Sequence, residues 1–469
     1  MKLKMILPVL LICMNALVVT GQKSGNQPVR QDKFVQVSPE NPFYFQLSSG
    51  ETYIPVGANI CWAKDVATME SYFSKLAANG GNFARIWLNH PLHEIETIYG
   101  KADEEIFKNI DRVLAAAQKH GIKVKMCIES FRQIEAEKSF FSKSQYHVSQ
   151  GGPFNDMPSY IHSEEGRQVF LARLEHFRKR YGDHDVIFGW ELWNEMNAIK
   201  SDGLWEWNEY MLPEVHAMFP KNLVMQSLGS FDHESARTDY RYINRMESND
   251  VAQIHRYLDL GASLDICKAS MDELAAGAID ELRSYQVQKP LLLAEVGGVK
   301  PKHTGPIELY EQDKDGILLH DLLFAPFFAG SAGPGHAWHW DNYIDKNDLW
   351  YHFQRFNEAI KGIDPVKEHF VPFRLSHPKL KIYGLAGRNT ILLWCRDIEN
   401  NWENEFVNSV PPKVLKDIKV DLASLVPSTN IRKISFYDPW ENKWNSGKGG
   451  PEVSFPSFRR SMIVAVEKK

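Results

Sequence analysis

The run GWELWNEMN, residues 189–197, has the bulky apolar composition of a buried strand and yet carries two carboxyl groups, those of Glu191 and Glu195. A carboxylate is costly to remove from water unless it is paired with a cation, hydrogen-bonded or used in chemistry. The run therefore predicts a strand inside a large sheet, with a structural or a chemical reason for each of its two acids.

Short β-rich runs alternate with helical segments on both sides of this strand, which is typical of a parallel sheet covered by helices. Eight such units predict the α/β fold class in the form of a (β/α)8 TIM barrel. A doubly wound open sheet is the alternative, but no candidate strand is followed by a Gly-rich phosphate loop. The candidate strands are 53–60, 82–88, 123–128, 186–193, 223–229, 252–255, 290–295 and 335–340, and helices are predicted over 102–120, 163–181, 270–288 and 347–363.

The segments beyond the barrel differ from it in composition. Two β-like runs before it predict an N-terminal hairpin, and a stretch with three prolines after it predicts a linker. Short strands separated by turn residues then predict a small, sandwich-like all-β domain. The predicted parts are a disordered segment 22–33, the barrel with its hairpin 34–364, the linker 365–379 and the β-domain 380–469, whose strands are 380–387, 390–395, 418–422, 431–437 and 462–466.

The first 21 residues are predicted to be a secretory signal peptide. Lys2 and Lys4 precede an apolar run over 5–19, and small residues follow that run at a cleavage site. A membrane anchor is the alternative, but the apolar run is short for a spanning helix. We therefore expect an exported protein, periplasmic or extracellular, without stable membrane insertion.

Charge and cysteine usage exclude several functions. The formal net charge is −5 and no block of Lys or Arg is present, which argues against nucleic acid as a partner. The four cysteines outside the signal peptide are widely spaced and form no C-x-x-C pair, and no convincing set of histidine ligands accompanies them. We therefore predict no metal and no cofactor. The four cysteines are Cys61, Cys127, Cys267 and Cys395.

Two acids stand at the carboxyl ends of candidate barrel strands, where the active sites of such barrels lie. Glu195 ends the fourth strand and Glu295 ends the seventh. Glycoside hydrolysis requires two such carboxyl groups, one to protonate the leaving oxygen and one to attack the anomeric carbon or activate water. We assign Glu195 as general acid/base and Glu295 as nucleophile. Retention of configuration requires the two carboxyl groups to be about 5–5.5 Å apart.

The alternative for these two acids is that both neutralise barrel cations such as Arg85. For Glu191 this structural role is the favoured interpretation, because it lies four residues deeper in the strand than Glu195. A sugar bound at the barrel mouth would not reach it.

Several motifs resemble clan A glycoside hydrolases, and most closely the β-mannanase-like and cellulase-like branches of glycoside hydrolase family 5. WELWNE looks like the acid/base strand of that clan and LLLAEVGG, residues 291–298, like its nucleophile strand. The resemblance covers roughly residues 40–365. Further motifs that carry it are RYGDHDVIFGWEL at 180–192, YIPVGANICW at 53–62, NFARIWLNH at 82–90 and QIHRYL at 253–258.

This resemblance implies roles for the residues around the two glutamates. Asn194 is expected to hydrogen-bond the sugar 2-hydroxyl, Arg85 to keep Glu295 ionised, and Tyr257 to donate to Glu295. His255 is expected to hold the substrate or to orient the residues that do. A plain buried histidine is the alternative. Trp338 or Trp340 is expected to form the floor under the sugar, with the other in the core, and Trp62 is a weaker candidate for the same wall.

The chain also departs from the family pattern. Met196 stands where many members have a proline after Asn-Glu, and the third strand ends in CIESFR instead of a histidine. CIESFR supplies Glu129, Ser130 and Arg132, and an additional acid or arginine beside the sugar would change the substrate. These differences weaken the prediction of the substrate more than that of the reaction.

We therefore expect a secreted retaining β-glycoside hydrolase that acts on plant-type polysaccharide or its oligosaccharides, most closely a β-mannan. An exo-acting enzyme on another β-linked sugar is an alternative, and a non-catalytic carbohydrate-binding barrel is another. A third hypothesis is a binding protein whose working part is the β-domain, with Tyr437, Trp440 and Trp444 on its glycan surface. A β-domain that only packs against the barrel is favoured over it.

Overall fold

The computed structural model describes residues 33–130, 139–199, 201–447, 450 and 452–469. The predicted signal peptide, the polar segment up to Asp32, and Arg132 lie outside the described residues. The strands are β1 Val35–Val37, β2 Phe45–Leu47, β3 Thr52–Tyr53, β4 Gly57–Asn59, β5 Phe83–Trp87, β6 Lys123–Glu129, β7 Ile187–Trp193, β8 Leu223–Met225, β9 Ala252–Asp259, β10 Leu291–Val299, β11 Val371–Leu375, β12 Leu380–Ala386, β13 Thr390–Asp397, β14 Lys419–Asp421, β15 Ile431–Asp438, β16 Lys443–Gly447, β17 Glu452–Ser454 and β18 Ser461–Lys468. The α-helices are α1 Val66–Ala78, α2 Glu104–Lys119, α3 Ser139–Ser142, α4 Met157–His162, α5 Glu164–Tyr181, α6 Leu204–Met218, α7 Ala236–Arg245, α8 Met271–Ser284, α9 Ile317–Phe328, α10 Tyr351–Ala359 and α11 Pro365–Glu368.

Parallel strands form the centre of the molecule. Strands β4 to β8 are neighbours in chain order, and β9 pairs with β10. Ala337 bridges to Ala58 of β4 and to Val296 of β10, so it closes the ring between the first and the last strand. A helix follows each strand position, and β7 is buried along its whole length. This arrangement is the predicted (β/α)8 barrel.

Three of the predicted barrel strands require correction, and one of them, 223–229, is a strand only over Leu223–Met225. The predicted strand 335–340 is reduced to the single bridging residue Ala337, because Pro334 lacks an N–H and His339 adopts a left-handed backbone with φ 63°. The predicted strand 53–60 begins too early, since Thr52–Tyr53 pairs with β2 in a small antiparallel sheet and the barrel strand is Gly57–Asn59.

Local sequence signals explain where the covering helices begin. Asp65, Asp103 and Ser163 each cap a helix by accepting a hydrogen bond from a backbone N–H of its first turn. One apolar face of each helix then packs on the barrel. In α5 this face consists of Phe170, Arg173, Leu174, Phe177 and Tyr181, and the arginine among them belongs to a buried ionic network.

The segment 365–379 is not a linker. It contains the short helix α11 and the strand β11, which pairs with β12 over five residues. The prolines that suggested a linker are compatible with this strand because β11 lies at the edge of its sheet, where Pro372 costs no ladder hydrogen bond. Residues Lys33–Lys469 accordingly form one compact unit.

The C-terminal region is all-β and antiparallel, as predicted. Its main sheet has the order β11-β12-β13-β18-β15-β16, and β14 pairs with β17 in a separate ribbon. One face of the main sheet packs on this ribbon, and the opposite face, with Tyr383, Trp394 and Ile463, joins the core of the barrel. A sandwich of two full sheets stays a prediction. Strands β11, β16 and β17 were not predicted.

Buried polar contacts join this sheet to the barrel helices. Arg396 of β13 pairs with Asp321 of α9, with Nε 2.9 Å from Oδ1, and both side chains are almost fully buried. The Tyr383 hydroxyl donates to Asp272 of α8 at 2.7 Å. The ring of Trp440 contacts the His320 ring at 4.5 Å and the Arg460 guanidinium at 4.6 Å. These contacts favour a packing role for this side of the sheet over a glycan surface.

Cys61, Cys127, Cys267 and Cys395 are all buried and unpaired among the described residues. None of the described helices combines the length and the apolar character that a membrane span needs.

Candidate active site

A positive φ at the end of β7 and a β-bulge in β10 set the orientation of the two predicted carboxylates. Glu195 follows β7 in a left-handed conformation, φ 50°, and its N–H donates to Ser227 Oγ at 3.0 Å. In β10 the pairing with β9 shifts by one residue between Leu293 and Glu295, which is a β-bulge. Bulges re-aim side chains and are frequent beside active sites. Here the bulge places Glu295 opposite His255.

The two carboxylates are close together. One oxygen of Glu195, one oxygen of Glu295 and one ring nitrogen of His255 all lie within 4.8 Å of one another. The two glutamates belong to strands at opposite sides of the barrel ring, so the closure of the barrel brings them together. This spacing is near the separation of about 5–5.5 Å that a covalent nucleophile and its acid partner need, and well below the 6.5–9.5 Å of inverting enzymes.

Both oxygens of Glu295 accept hydrogen bonds. Arg85 Nη1 donates to Oε1 in a very short contact, and the Tyr257 hydroxyl donates to Oε2 at 2.7 Å. Arg85 lies on β5 and Tyr257 on β9, two residues from His255 on the same face of that strand. The two donors fix the orientation of the carboxylate from opposite sides.

Arg85 is the centre of a larger buried network. Its Nε and Nη2 bond the two oxygens of Glu191 at 2.7 and 2.9 Å, and Nη2 also donates to Asn194 Oδ1 at 2.7 Å. Lys125 Nζ lies 3.0 Å from Glu191 Oε2. Burial opposes ionisation of Glu191, but the two cations outweigh it and lower its pKa to about 2. Glu191 is thus placed as predicted, as an ion-paired acid inside the barrel.

His255 contacts both carboxylates and is fully buried. Its Nδ1 is 3.1 Å from Glu195 Oε1 and 3.4 Å from Glu295 Oε2. It does not line the cavity above them, so direct contact with a substrate is not supported. The geometry fits the orienting role that was the other expectation for this residue.

A cavity of about 210 Å³ opens above Glu195 and Glu295. Several donors around it have no partner within the described part of the chain, namely Asn194 Nδ2, Trp87 Nε1 and His339 Nδ1. Buried polar atoms are usually hydrogen-bonded in native proteins, so these three are available to a ligand in the cavity. The lining residues are Trp87, Asn194, Glu195, Tyr257, Glu295, Val299, His303, Gly305, Trp338 and His339.

The structure separates the three tryptophans that were candidates for the aromatic wall. Trp338 lines the cavity, as expected for the floor under a sugar. Trp340 does not, because the left-handed His339 turns the chain and leaves Trp340 2% exposed in the core. Trp62 packs against Trp87, Trp338 and Trp340 and borders a neighbouring cavity instead. Arg85 is fully buried and acts on the site through Glu295 and Asn194.

Sequence reasoning missed Trp87, His303 and His339. Trp87 has a clear signal, since it stands two residues after Arg85 in the same strand and therefore on the same face. His339 stands between the two predicted tryptophans. His303 has no comparable signal, because it reaches the site from a loop beyond the end of β10.

The additional acid at the end of the third strand lies in a second buried network, not in the cavity. Glu129 Oε1 is 3.2 Å from Arg173 Nε, while the same guanidinium bonds both oxygens of Glu94 and lies 3.7 Å from Glu96. Burial raises the pKa of Glu129 to about 8, against the opposing effect of Arg173. The main-chain oxygen of Glu129 accepts a 2.7 Å hydrogen bond from the N–H of Asn194.

Known proteins resemble this chain in sequence and in fold. A mannan endo-1,4-beta-mannosidase 4 from Oryza sativa subsp. japonica is 26% identical over 368 residues, which cover 70% of this chain and 75% of the relative. A glycoside hydrolase family 5 structure from Bacteroides vulgatus superposes with a TM-score of 0.62 at 12% identity, over 93% of this chain and 94% of the other. A family 5 mannosidase from Rhizomucor miehei superposes with a TM-score of 0.50 at 16% identity, over 66% and 86%.

The two structural likenesses show a shared fold, and the sequence family is shown by the match to its model. The family model described as cellulase (glycosyl hydrolase family 5) matches residues 43–321, more than half of the chain and all strands from β4 to β10. This range includes both Glu195 and Glu295. The chain belongs to glycoside hydrolase family 5 and is a glycoside hydrolase.

Proposed function

We propose that the chain is an exported, retaining β-glycoside hydrolase that acts on β-mannan or on oligosaccharides derived from it. The observation that carries the retaining mechanism is the spacing of the carboxylates, with oxygens of Glu195 and Glu295 within 4.8 Å. That spacing is shorter than the about 6.5–9.5 Å by which inverting enzymes separate their carboxyl groups to admit a water molecule.

In the first step Glu295 attacks the anomeric carbon and forms a covalent glycosyl–enzyme ester, while Glu195 gives its proton to the leaving oxygen. In the second step Glu195 takes a proton from water, and this water displaces Glu295 from the anomeric carbon. Two inversions give net retention. Arg85 and Tyr257 hold Glu295 in the orientation needed for attack, and His255 holds the two carboxylates relative to each other.

Asn194 fits the role of a contact to the sugar 2-hydroxyl. Its Oδ1 accepts a hydrogen bond from Arg85 Nη2, which fixes the amide and leaves Nδ2 at the cavity as a donor without a partner among the described residues. A contact at the 2-hydroxyl contributes most in the transition state, where it strengthens. Trp338 supplies an aromatic surface for the sugar ring.

The preference for mannan rests on relatives named mannan endo-1,4-beta-mannosidase, which match about two thirds of the chain. A second candidate is action on chain ends. The cavity of about 210 Å³ favours it, because pockets for larger ligands commonly measure about 300–1,000 Å³.

Product analysis tests this function. The full-length protein would be incubated with β-mannan, a β-glucan, a β-xylan and their oligosaccharides, and the first product would be followed by NMR. We expect hydrolysis of the mannan substrates with the β-anomer formed first. An α-anomer formed first would refute the retaining mechanism, and turnover of glucan or xylan alone would refute the substrate. Oligosaccharide ladders would indicate internal cleavage, and monosaccharide alone would indicate action on chain ends.

A further inference from the structure

Three side chains, from the end of one barrel strand and from the segments that follow two others, meet at one edge of the cavity. His303 Nε2 lies 3.5 Å from Asp232 Oδ2 and 3.7 Å from Asp259 Oδ2. Asp232 lies in the loop after β8, Asp259 ends β9, and His303 lies in the loop after β10. Of the three, His303 also lines the cavity with Glu195 and Glu295. The proposed catalytic steps do not use this group.

The structure holds all three members firmly. The loop that carries His303 is closed by hydrogen bonds from Lys300 N to Gly305 O and from His303 N to Lys300 O, both 2.9 Å. Asp259 Oδ1 accepts from Gly261 N at 2.7 Å, which leaves Oδ2 to face the imidazole. The main-chain oxygen of Asp232 accepts from Leu264 N at 3.0 Å. His303 is therefore a fixed part of the cavity wall.

The surroundings of His303 favour its charged form. Burial alone would lower the pKa of His303, but Asp232, Glu195 and Asp259 outweigh it and raise the pKa above its usual value. The other groups that face it are the Tyr257 ring, in an edge contact at 5.4 Å, and His339, whose own pKa burial lowers to about 4. Behind Asp232 lies His233, 3.8 Å from Oδ1. The neighbouring carboxylates thus favour the protonated form of His303.

Asp232 and Asp259 both face the same nitrogen of the His303 imidazole, Nε2. No hydrogen bond to Nδ1 occurs among the described residues. The His303 side chain is 35% exposed and lines the cavity, whereas that of Asp259 is 4% exposed, so of these two groups it is the imidazole that a ligand in the cavity can reach. A charged donor at a cavity edge binds a hydroxyl or another acceptor more strongly than a neutral donor does.

The position relative to Glu195 identifies the part of the substrate involved. Glu195 must touch the glycosidic oxygen, so the leaving group lies against it. Glu195 and His303 line one cavity, and Glu195 is near enough to influence the pKa of His303 when it is ionised. We propose that His303, held by Asp232 and Asp259, donates a hydrogen bond to a hydroxyl group of the leaving sugar and thereby determines specificity. This inference rests on the proposed function.

Three substrates with the same β-mannosyl group separate this role from others. β-Mannobiose has a sugar leaving group with hydroxyls. Trifluoroethyl β-mannoside has an alkyl leaving group that needs similar help from the acid but carries no hydroxyl. 4-Nitrophenyl β-mannoside needs little help from the acid. We expect His303→Ala to lower kcat/KM for mannobiose about ten- to a hundredfold, the usual range for a lost charged hydrogen bond, and the other two less than about threefold.

Two further variants make the test specific. Lys302→Ala removes a neighbouring charge in the same loop, outside the cavity lining, and is expected to leave all three values within about twofold of wild type. His303→Gln retains an N–H donor and is expected to retain more mannobiose activity than His303→Ala. Thermal melting of each variant would confirm that it is folded.

Several outcomes would overturn the proposal. Equal losses for mannobiose and trifluoroethyl mannoside would mean that His303 acts through the acidity of Glu195. Unchanged kcat/KM values for all three substrates would show that His303 does not contribute to binding or catalysis. Loss of wild-type activity on chelation, restored by a divalent cation, would make the three groups metal ligands instead. If the wild-type protein cleaves none of the three mannosides but cleaves another β-glycoside, the proposed mannan substrate is wrong while the role of His303 can still be tested. The three leaving groups would then be compared on the sugar that the enzyme does cleave.

Discussion

The hydroxyl of Tyr257 donates a 2.7 Å hydrogen bond to Oε2 of Glu295, and no other donor from the described residues hydrogen-bonds that oxygen. His255 Nδ1 is 3.4 Å away and closer to Glu195. Burial and the charge of Glu295 raise the pKa of Tyr257 well above its usual value, so the hydroxyl keeps its proton at any working pH. Because it stays protonated, Tyr257 can orient Glu295 by a hydrogen bond and does not take up the proton that Glu195 transfers.

Tyr257→Phe tests this orientation. Removal of the hydroxyl leaves Oε2 without its donor while the ring still fills its place. We expect kcat/KM on a β-mannoside to fall about a hundredfold, since a misplaced nucleophile can cost this much. The fall should occur mainly in kcat and should leave thermal stability within a few degrees of wild type. The matched control is Tyr242→Phe, which removes the hydroxyl of an exposed tyrosine on α7, outside the cavity lining.

The sequence was sufficient to predict the barrel and its two carboxylates. Apolar runs such as β7 admit few charged residues, so an acid at the end of such a run is conspicuous. The eighth position was different. Ala337 makes only isolated bridges, and nothing in a glycine- and proline-rich run indicates which residue will close a ring. The choice between Trp338 and Trp340 depended on the positive φ of His339, which is a rare conformation for a residue other than glycine.

Contacts between loops were the least predictable. His303, Asp232 and Asp259 are far apart in sequence, and their meeting depends on the order of strands around the barrel. The strand β11 was missed for a different reason. Pro372 suggested a linker, because a proline removes a donor that central strands need, but an edge strand does not need it.

The assignment of Glu195 as acid/base predicts a dependence on the leaving group. Glu195→Ala should lower kcat/KM on mannobiose by about 10²–10⁴, the usual contribution of general acid catalysis. The loss for the first step on 4-nitrophenyl β-mannoside should be much smaller, because this leaving group needs little protonation. Azide should restore turnover and give the β-mannosyl azide, since it attacks the glycosyl ester without a base.

Glu295→Ala is the matched control for that experiment. It removes the nucleophile, so azide can only displace the leaving group directly and must give the α-mannosyl azide. NMR of the two azide products distinguishes these cases. The same anomer from both variants, or turnover of Glu295→Ala at the wild-type rate, would contradict the assignment.

The lowered pKa of Glu191 predicts that the folded protein loses stability in acid. Its pKa is about 2 in the folded protein and about 4.5 when unfolded, so its contribution is complete above about pH 4.5 and is lost as the pH falls towards 2. The shift corresponds to about 3 kcal/mol of unfolding free energy. Glu191→Gln should lose this dependence and should be less stable than wild type at pH 7 by about 3–5 kcal/mol, because Arg85 and Lys125 lose a buried partner.

Urea denaturation between pH 7 and pH 2 would measure this difference. Glu175→Gln, which alters an exposed carboxyl on α5, is the control and should follow the wild-type pH dependence closely. An equal loss of stability in acid for wild type and Glu191→Gln would show that the ion pair with Arg85 does not set it.

The raised pKa of Glu129 predicts the opposite pH dependence, a loss of stability as the pH rises. Burial raises its folded pKa to about 8, so the folded protein keeps a proton that the unfolded chain releases above about pH 4.5. The free energy of unfolding should therefore fall as the pH rises from 4.5 to 8. Glu129→Gln imitates the neutral acid and removes this slope. At pH 8 the variant should be more stable than wild type by on the order of 3 kcal/mol, with little difference at pH 5.

The reason for this effect is that one cation serves several acids. Arg173 is committed to Glu94 through two hydrogen bonds of 2.5 and 3.2 Å, so it compensates only part of the charge of Glu129. Glu94→Gln is the informative control, because it frees Arg173 for Glu129. In that variant the folded pKa of Glu129 should fall, and the decline of stability between pH 5 and pH 8 should become shallower. Urea midpoints at the two pH values measure both effects, and identical slopes in wild type and Glu129→Gln would contradict the raised pKa.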